Sequence, residues 1–239
     1  MERPLSSVLV AEAYGTFVLT LLGPLAITVV SDHTLFPNGA SLGLGFIGLA
    51  HGVALLIGIA SVGAISGAHF NPAVTIGLTY AGRFPKSRVV PYIIAQLVGA
   101  LLASLAQLAL VGIEAGKVAD LGNAAPNLQL PFPIFAAVFA EVIGTMILVM
   151  TVLGSTDPSE PALWKPSAIG LSLAAVIWGL GAISGASLNP ARSFGPSVVS
   201  LVFDPSAFNY YWIYLVGPIL GGLLAAELYR VISRSGKPV

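Results

Sequence analysis

Two Asn-Pro-Ala triplets are the residues of this sequence best suited to a chemical role. Asparagine is a preferred residue just before a helix, and proline in the first helical position lacks only an N–H that would have no partner there. Each triplet therefore predicts the start of a short helix, about half a membrane in length. The residues concerned are Asn71, Pro72, Ala73, Asn189, Pro190 and Ala191.

The triplets lie inside a longer repeat. Residues 63–73 and 181–191 are identical except at the two positions before each asparagine. Residues 11–16 likewise resemble 140–145, and 96–99 resemble 218–221, in the same order along the chain. Apolar helices share small residues by chance, but not in so long an ordered run. The sequence therefore predicts two related halves.

We expect one channel domain over residues 1–239, with halves 1–111 and 134–239 joined by residues 112–133. This connection is long for a helix hairpin and is expected to be an extended loop. Three membrane spans in each half would make the halves enter the membrane from opposite sides. Such an inverted repeat is typical of transport proteins.

The composition excludes most other classes of protein. Hydrophobic residues make up 56% of the chain and charged residues 8%, against about 25% charged in soluble domains. Ten basic residues balance ten acidic ones, so no excess charge attracts nucleic acid. There is no cysteine, the three histidines are scattered, and no phosphate-binding glycine loop is present. We therefore expect no metal, no cofactor and no enzymatic activity.

Six apolar stretches are each long enough to cross a bilayer, which takes roughly 20 residues. They are residues 8–30, 42–62, 89–111, 134–153, 167–183 and 211–232. The expected fold class is an all-α membrane protein with six transmembrane helices and two re-entrant half-helices in an inverted repeat.

The basic residues predict the orientation of the chain in the membrane. Eight of the ten would lie on the side that holds both termini, which the positive-inside rule assigns to the cytoplasm. We expect a multi-pass protein of the plasma membrane with both termini cytoplasmic. These basic residues are Arg3, Arg83, Lys86, Arg88, Lys165, Arg230, Arg234 and Lys237.

Half-helices that enter from opposite sides would bring Asn71 and Asn189 together near the midplane. Non-helical backbone at that depth is tolerated only where it is buried or lines a cavity. Two amide donors between converging positive helix ends would hold a water by its oxygen and turn its hydrogens toward the exits. Such a site predicts passage of water with exclusion of protons and cations.

Residues 66–75 and 187–196 resemble the signature segments of aquaporins, the major intrinsic protein family, and the likeness extends over nearly the whole chain. Residues 82–85 and 95–96 also resemble archaeal aquaporins of the M type. The resemblance implies six tilted helices, two re-entrant half-helices, a pore in every subunit and a homotetramer in the lipid bilayer.

The resemblance also implies a selectivity filter of His51, Ile177, Ala186 and Arg192, placed by their spacing from the two asparagines. Arg192 is a candidate independently, because an ionisable residue inside a membrane is a functional candidate by default. A histidine in the second span with an aliphatic residue in the fifth resembles plant tonoplast aquaporins. We therefore expect a wider or differently polarised aperture, and small neutral solutes such as glycerol and ammonia stay open alternatives to water.

Glu12 and Glu141 occupy equivalent places in the first and fourth spans. They would either couple transport to an ion, as in a secondary transporter, or accept hydrogen bonds from backbone N–H groups of irregular loops. Their symmetric placement and the family resemblance both favour the second role. His69, two residues before Asn71, is a candidate for pore lining, with loop packing as its alternative.

Overall fold

The computed structural model describes residues 3–157 and 165–234, which form eight α-helices. Lys237, which the sequence places on the side of the termini, lies outside these residues. The helices are α1 (Leu5–Ser31), α2 (Gly43–Ser66), α3 (Pro72–Tyr80), α4 (Val89–Val118), α5 (Pro133–Ser155), α6 (Lys165–Ser184), α7 (Pro190–Ser200) and α8 (Tyr211–Arg234).

Six of these helices are long and apolar enough to cross a membrane, and each covers one of the predicted spans to within one residue. The other two, α3 and α7, have nine and eleven residues and begin at the prolines of the two triplets. The prediction of six spanning helices and two short helices is therefore confirmed.

The connection after the third span differs from the prediction. Helical structure continues from the predicted end at residue 111 to Val118, across a break at Gly112, where φ is 77° and ψ is 175°. Glycine adopts positive φ without a steric penalty, so the chain changes direction there and resumes its helix. A short helical turn, Asp120–Gly122, follows. The 112–133 connection is therefore partly helical, and the expectation of an extended loop was wrong for its first part.

The two halves pack in the same way and interlock. Helix α1 packs against α2 and α4, and α5 packs against α6 and α8 in the corresponding arrangement. Short helix α3 lies mainly against α8, while α7 lies mainly against α4, so each half-helix packs on a long helix of the opposite half. This exchange places the starts of α3 and α7 between the halves.

Close approach of the long helices depends on small residues at matching positions. A Cβ added to Gly99 would lie 2.2 Å from the Ala13 carbonyl oxygen, and one added to Gly221 would lie 2.4 Å from that of Val142. Both separations are far below van der Waals contact. Membrane helices pack closely where such small residues let the backbones meet.

Polarity is distributed as expected for a protein surrounded by lipid. Large apolar side chains are exposed on the outer faces of the helices, including Phe135 and Phe139, which are 70% and 53% exposed. Polar side chains are fully buried instead, among them Glu12, Gln96 and Glu141. Water is absent from the hydrocarbon region, so polar groups there must find partners inside the protein.

Candidate functional site

The starts of α3 and α7 meet through their asparagines. Asn71 Nδ2 donates to the Leu188 carbonyl over 2.8 Å, and Asn189 Nδ2 donates to the Phe70 carbonyl over 2.8 Å. Each side chain thus binds the backbone just before the other asparagine. Because an amide has two N–H groups, each asparagine keeps one donor free of this link.

Each asparagine also caps its own helix. Asn71 Oδ1 accepts from the Ala73 N–H at 2.8 Å, and Asn189 Oδ1 accepts from the Ala191 N–H at 3.0 Å. This is the capping role expected from Asn-Pro at a helix start. Two positive helix ends therefore converge with amide donors between them.

The backbone leading into each helix is strained in the same pattern. Ala68 and Phe70 have φ of 56° and 50°, and their counterparts Ala186 and Leu188 have φ of 40° and 57°. Left-handed conformations of non-glycine residues cost about 1–3 kcal/mol each and persist only where the surroundings impose them. Four such residues require strong local support.

Glu12 supplies that support in the first half. Its Oε1 accepts from the Ser66 hydroxyl at 2.7 Å and the His69 N–H at 3.0 Å. Its Oε2 accepts from the Phe70 N–H and from Gln96 Nε2, both at 2.8 Å. Each oxygen of the carboxylate therefore accepts two hydrogen bonds, as many as its lone pairs allow.

Glu141 does the same in the second half. Its Oε1 accepts from the Ser184 hydroxyl at 2.8 Å and the Ser187 N–H at 2.9 Å, and Oε2 accepts from the Leu188 N–H at 2.7 Å. Both glutamates thus hold backbone donors of the strained loops, which is the geometry of loop support.

A cavity runs past the two asparagines between the halves. Its wall is mostly aliphatic, with polar groups contributed by the asparagines, His51, His69, Ser187 and Arg192. The lining residues are Leu19, His51, Leu55, Ala68, His69, Asn71, Val74, Leu148, Val152, Ile169, Leu173, Ser187, Asn189 and Arg192.

Arg192 and His51 meet at this cavity. Arg192 Nε and Nη2 both donate to His51 Nε2, over 3.3 and 2.9 Å, and His51 Nδ1 lies 2.8 Å from the Ile47 carbonyl. A carbonyl can only accept, so Nδ1 carries the ring proton and Nε2 is free to accept from the guanidinium. Among the described residues, Arg192 Nη1 is buried without a partner.

The other two residues of the expected filter are placed differently. Ile177 and Ala186 are each 2% exposed and belong to the apolar core cluster that also contains Leu173. Neither is among the residues that line the cavity. The structure therefore brings His51 and Arg192 together and leaves Ile177 and Ala186 buried beside them, so a filter role for all four stays a prediction.

His69 lies on the cavity wall, where the sequence placed it as a candidate. Its ring packs edge-on against Phe84, with centroids 4.5 Å apart, and 5.1 Å from the ring of Tyr92. Nδ1 lies 3.0 Å from Thr75 Oγ1. His69 thus lines the cavity and packs in the loop at the same time, which combines the two alternatives.

Three supporting residues were missed by the sequence analysis. Tyr92 and Tyr214 donate to the carbonyls of Ser66 and Ser184, each over 2.7 Å, and so fix the ends of α2 and α6. Tyr92 and Tyr214 are offset by the same number of residues as segments 96–99 and 218–221. The repeat in the sequence could therefore have identified them as a matching pair. Gly23 of α1 contacts His51 and carried no comparable signal.

The described residues include no cluster of metal ligands at the site. Within residues 3–157 and 165–234, no group of three or more His, Asp or Glu side chains is arranged to hold a metal ion. The groups available for chemistry at the cavity are therefore amide, imidazole, hydroxyl and guanidinium groups. All of these groups can form hydrogen bonds with polar molecules.

Comparison with known proteins finds relatives over nearly the whole length of the chain. The family described as Major intrinsic protein matches residues 3–229. Aquaporin AqpM of Methanothermobacter marburgensis is 42% identical over 238 residues, covering 94% of this chain and 96% of that protein. Aquaporin Z of Photorhabdus laumondii is 37% identical over 231 residues, covering 94% and 96%.

Solved structures agree with this assignment. The aquaglyceroporin from Plasmodium falciparum superposes with a TM-score of 0.87 at 28% identity, covering 97% of this chain and 98% of that one. Its name refers to both water and glycerol, whereas the names of the two sequence relatives refer to water alone. The arrangement of six spanning helices with two half-helices is thus the aquaporin fold, and this chain belongs to the major intrinsic protein family.

Proposed function

We propose that the protein is a passive channel that conducts water down osmotic gradients and excludes protons and ions. The observation that carries the proposal is the crossed pair of hydrogen bonds between Asn71 and Asn189 and the carbonyls of Leu188 and Phe70. It fixes both amides beside a mostly aliphatic cavity, each with a second N–H available. A water there would be held by its oxygen against two donors, with its hydrogens directed outward.

Arg192 supports the exclusion of cations. Its guanidinium is 2% exposed and lies on the cavity wall. A fixed positive charge beside a narrow passage raises the energy of any cation that enters, while neutral molecules accept hydrogen bonds from it. The two converging helix ends add partial positive charge at the asparagines.

The bonding of the glutamates argues against an ion-coupled secondary transporter. Coupling by Glu12 would require the carboxylate to take up and release a proton or cation. All its acceptor positions are filled by Ser66, His69, Phe70 and Gln96 donors. Binding a coupling ion would break the bonds that hold the strained loop.

A pore for small neutral solutes is the second candidate. The pairing of His51 with Arg192 and the aliphatic wall formed by residues such as Leu173 and Ile169 favour it. Apolar walls lower the cost of transferring the carbon skeleton of glycerol out of water, and ammonia needs only one donor or acceptor. The structural neighbour named an aquaglyceroporin is consistent with this candidate.

We further propose a plasma-membrane location with both termini cytoplasmic, a homotetramer with one pore in each subunit, and two structural halves, 1–111 and 134–239. The excess of basic residues on the side of the termini supports the orientation. The exposed aromatic face of α5, with Phe135 and Phe139 stacked at 5.7 Å, supports burial against lipid or another subunit.

Flux through purified protein in lipid vesicles tests the proposal. We expect osmotic shrinkage in stopped flow well above that of empty vesicles, without any ion gradient, and no proton leak reported by an enclosed pH dye. Asn71→Ala and Asn189→Ala should admit protons or lose water flux, whereas the exposed Asn38→Ala should change neither. Water permeability at the lipid background, with incorporation verified, would refute the proposal. A parallel panel of glycerol and ammonia separates the two candidates.

A further inference from the structure

A chain of buried hydrogen bonds connects the loop-supporting glutamate to a side chain on the cavity wall. Gln96 Nε2 donates to Glu12 Oε2 at 2.8 Å and to Thr75 Oγ1 at 3.0 Å. His69 Nδ1 lies 3.0 Å from the same Thr75 Oγ1. Gln96, Thr75 and Glu12 are fully buried, so this chain is shielded from bulk solvent.

The donors and acceptors around Thr75 determine the position of the proton on His69. The Thr75 hydroxyl donates its one hydrogen to the Asn71 carbonyl at 3.1 Å. Gln96 occupies one of its two lone pairs, and the remaining one faces His69 Nδ1. Because the Thr75 hydroxyl has already donated its hydrogen, it can only accept from His69, and the imidazole supplies the hydrogen of this contact. Nδ1 is then protonated, and Nε2 of the neutral ring carries a lone pair.

Contacts hold the Nδ1 edge and the faces of the His69 ring and leave Nε2 as its open edge. Nδ1 is engaged with Thr75, and Phe84 and Tyr92 pack against the ring with centroids 4.5 and 5.1 Å away. Within the described part of the chain, Nε2 has no hydrogen-bond partner, and His69 lines the cavity. The start of α3, three residues later, adds positive potential that disfavours a second proton on the ring.

We propose that Thr75, oriented by Gln96, is a positioning residue that keeps His69 in the Nδ1–H tautomer and so presents the channel with a hydrogen-bond acceptor at Nε2. The inference rests on the proposed channel function and adds that the two sides of the asparagine pair offer different hydrogen-bonding groups. Asn71 and Asn189 offer donors that turn water hydrogens outward. His69 Nε2 accepts one of those hydrogens on its side of the midplane, from water or from another neutral molecule that carries an O–H or N–H.

The described residues of the second half contain no equivalent acceptor relay. At the positions that correspond to His69 and Thr75 it has Ser187 and Ser193, whose hydroxyl oxygens lie 2.5 Å apart. Ser187 also donates to the Asn189 carbonyl at 3.1 Å. The place of Gln96 is taken by Pro218, which has no side-chain donor. The two sides of the asparagines thus differ in what they offer a permeating molecule.

Nitrogen-15 NMR of the histidine-labelled protein in lipid vesicles tests the assignment, because protonated and unprotonated ring nitrogens have well-separated shifts. The chain has three histidines, and His69→Asn identifies the signals of His69 by their loss. We expect His69 to show a protonated Nδ1 and an unprotonated Nε2 near neutral pH. A proton on Nε2 in the unmodified protein overturns the inference, whatever the water flux is.

Variants of Thr75 separate positioning from general packing. Thr75→Ser keeps the hydroxyl and should preserve the tautomer and the water flux. Thr75→Val has nearly the same shape without the acceptor, so the ratio of Nδ1–H to Nε2–H tautomers should fall by about fivefold, which is the effect of losing one neutral hydrogen bond. An unchanged tautomer ratio in folded Thr75→Val would refute the role of Thr75. Failure of the channel proposal would appear separately, as background water flux in a protein whose His69 tautomer is as expected.

Discussion

Arg192 directs two donors, Nε and Nη2, at a single acceptor, Nε2 of His51, over 3.3 and 2.9 Å. Both residues are almost fully buried, and His51 is fixed in turn by the Ile47 carbonyl. The reach of the guanidinium into the cavity is thus set by a side chain of another helix. Several predictions about selectivity depend on this contact.

Arg192→Val should raise the leak of cations and of glycerol while water still passes. A unit charge about 4 Å from a passing cation opposes it by on the order of 1–4 kcal/mol, so its removal should increase the cation leak roughly fivefold or more. Vesicle assays with ion-sensitive dyes and glycerol shrinkage measure both rates. Lys117→Val, at an exposed lysine paired with Glu114, is the control and should match the unmodified protein. Equal leaks in the two variants would contradict the barrier role of Arg192.

His51→Phe should lower both glycerol passage and stability. The larger ring narrows the cavity and removes the acceptor of Arg192, and a hydrogen bond to a charged group contributes about 1.5–3 kcal/mol. For a chain of this size, that corresponds to a fall in melting temperature of roughly 3–10 °C. His51→Gln restores an acceptor, so its melting temperature should lie between those of the unmodified protein and His51→Phe in thermal unfolding of the detergent-solubilised protein. Indistinguishable His51→Phe and His51→Gln variants would show that the contact does not hold Arg192.

Gly23→Ala should disturb the same contact from the opposite side. A Cβ at Gly23 would lie 2.4 Å from Cδ2 and 2.6 Å from Nε2 of His51, so the imidazole must move. We expect water permeability to fall roughly fivefold, as one hydrogen bond to Arg192 weakens. Gly45→Ala in α2 is the matched control, because a Cβ there meets no atom within 4 Å. Stopped-flow shrinkage compares the two, and equal permeabilities would rule out this arrangement.

Glu141→Gln should destabilise the fold, and water flux through the variant should remain independent of ion gradients. The carboxylate accepts from Ser184, Ser187 and Leu188, and an amide NH2 in place of one oxygen would face a donor. An unsatisfied buried donor costs about 1–3 kcal/mol, or roughly 2–10 °C in melting temperature. Glu114→Gln at an exposed site should leave the melting temperature unchanged. A stable Glu141→Gln protein that had lost gradient-driven transport would instead support ion coupling.

Asp120→Asn should stabilise the protein at neutral pH and not at acidic pH. Burial, and then repulsion from Asp204, raise the pKa of Asp120 above its usual value. A raised pKa means that ionisation opposes folding, so the penalty is present above the pKa and disappears as the pH falls below it. We expect a gain in melting temperature on the order of 1 °C at neutral pH, since solvent screens a half-exposed group. Asparagine also tolerates the φ of 44° at this position.

Thermal unfolding at neutral and acidic pH measures this effect. In an Asp204→Asn background, the gain from Asp120→Asn should shrink, because the repelling charge is gone. A gain that is independent of both pH and Asp204 would assign the effect to backbone conformation instead.

The sequence by itself determined the elements of this protein. Apolar stretches of about 20 residues predict membrane helices, because a helix pairs its backbone N–H and C=O groups within the bilayer. Asn-Pro at residues 71–72 and 189–190 fixes the start of a helix through local capping. The repeat of Glu12 in Glu141 predicted an equivalent role for both glutamates and favoured loop support over ion coupling. These features depend on periodicity, hydrophobicity and local hydrogen bonding, which act between near neighbours in the chain.

Tertiary structure alone decided which groups meet. The bond of Arg192 to His51 joins residues 141 positions apart, and the bond of Gln96 to Thr75 links α4 with α3. The contact of Gly23 with His51 depends on the distance between two helix axes, which no local pattern encodes. Ile177 and Ala186 had the expected spacing and are packed in the apolar core cluster, so their part in a filter stays a prediction. Sequence spacing specifies position along a helix, whereas the direction in which a side chain points depends on the packing of all eight helices together.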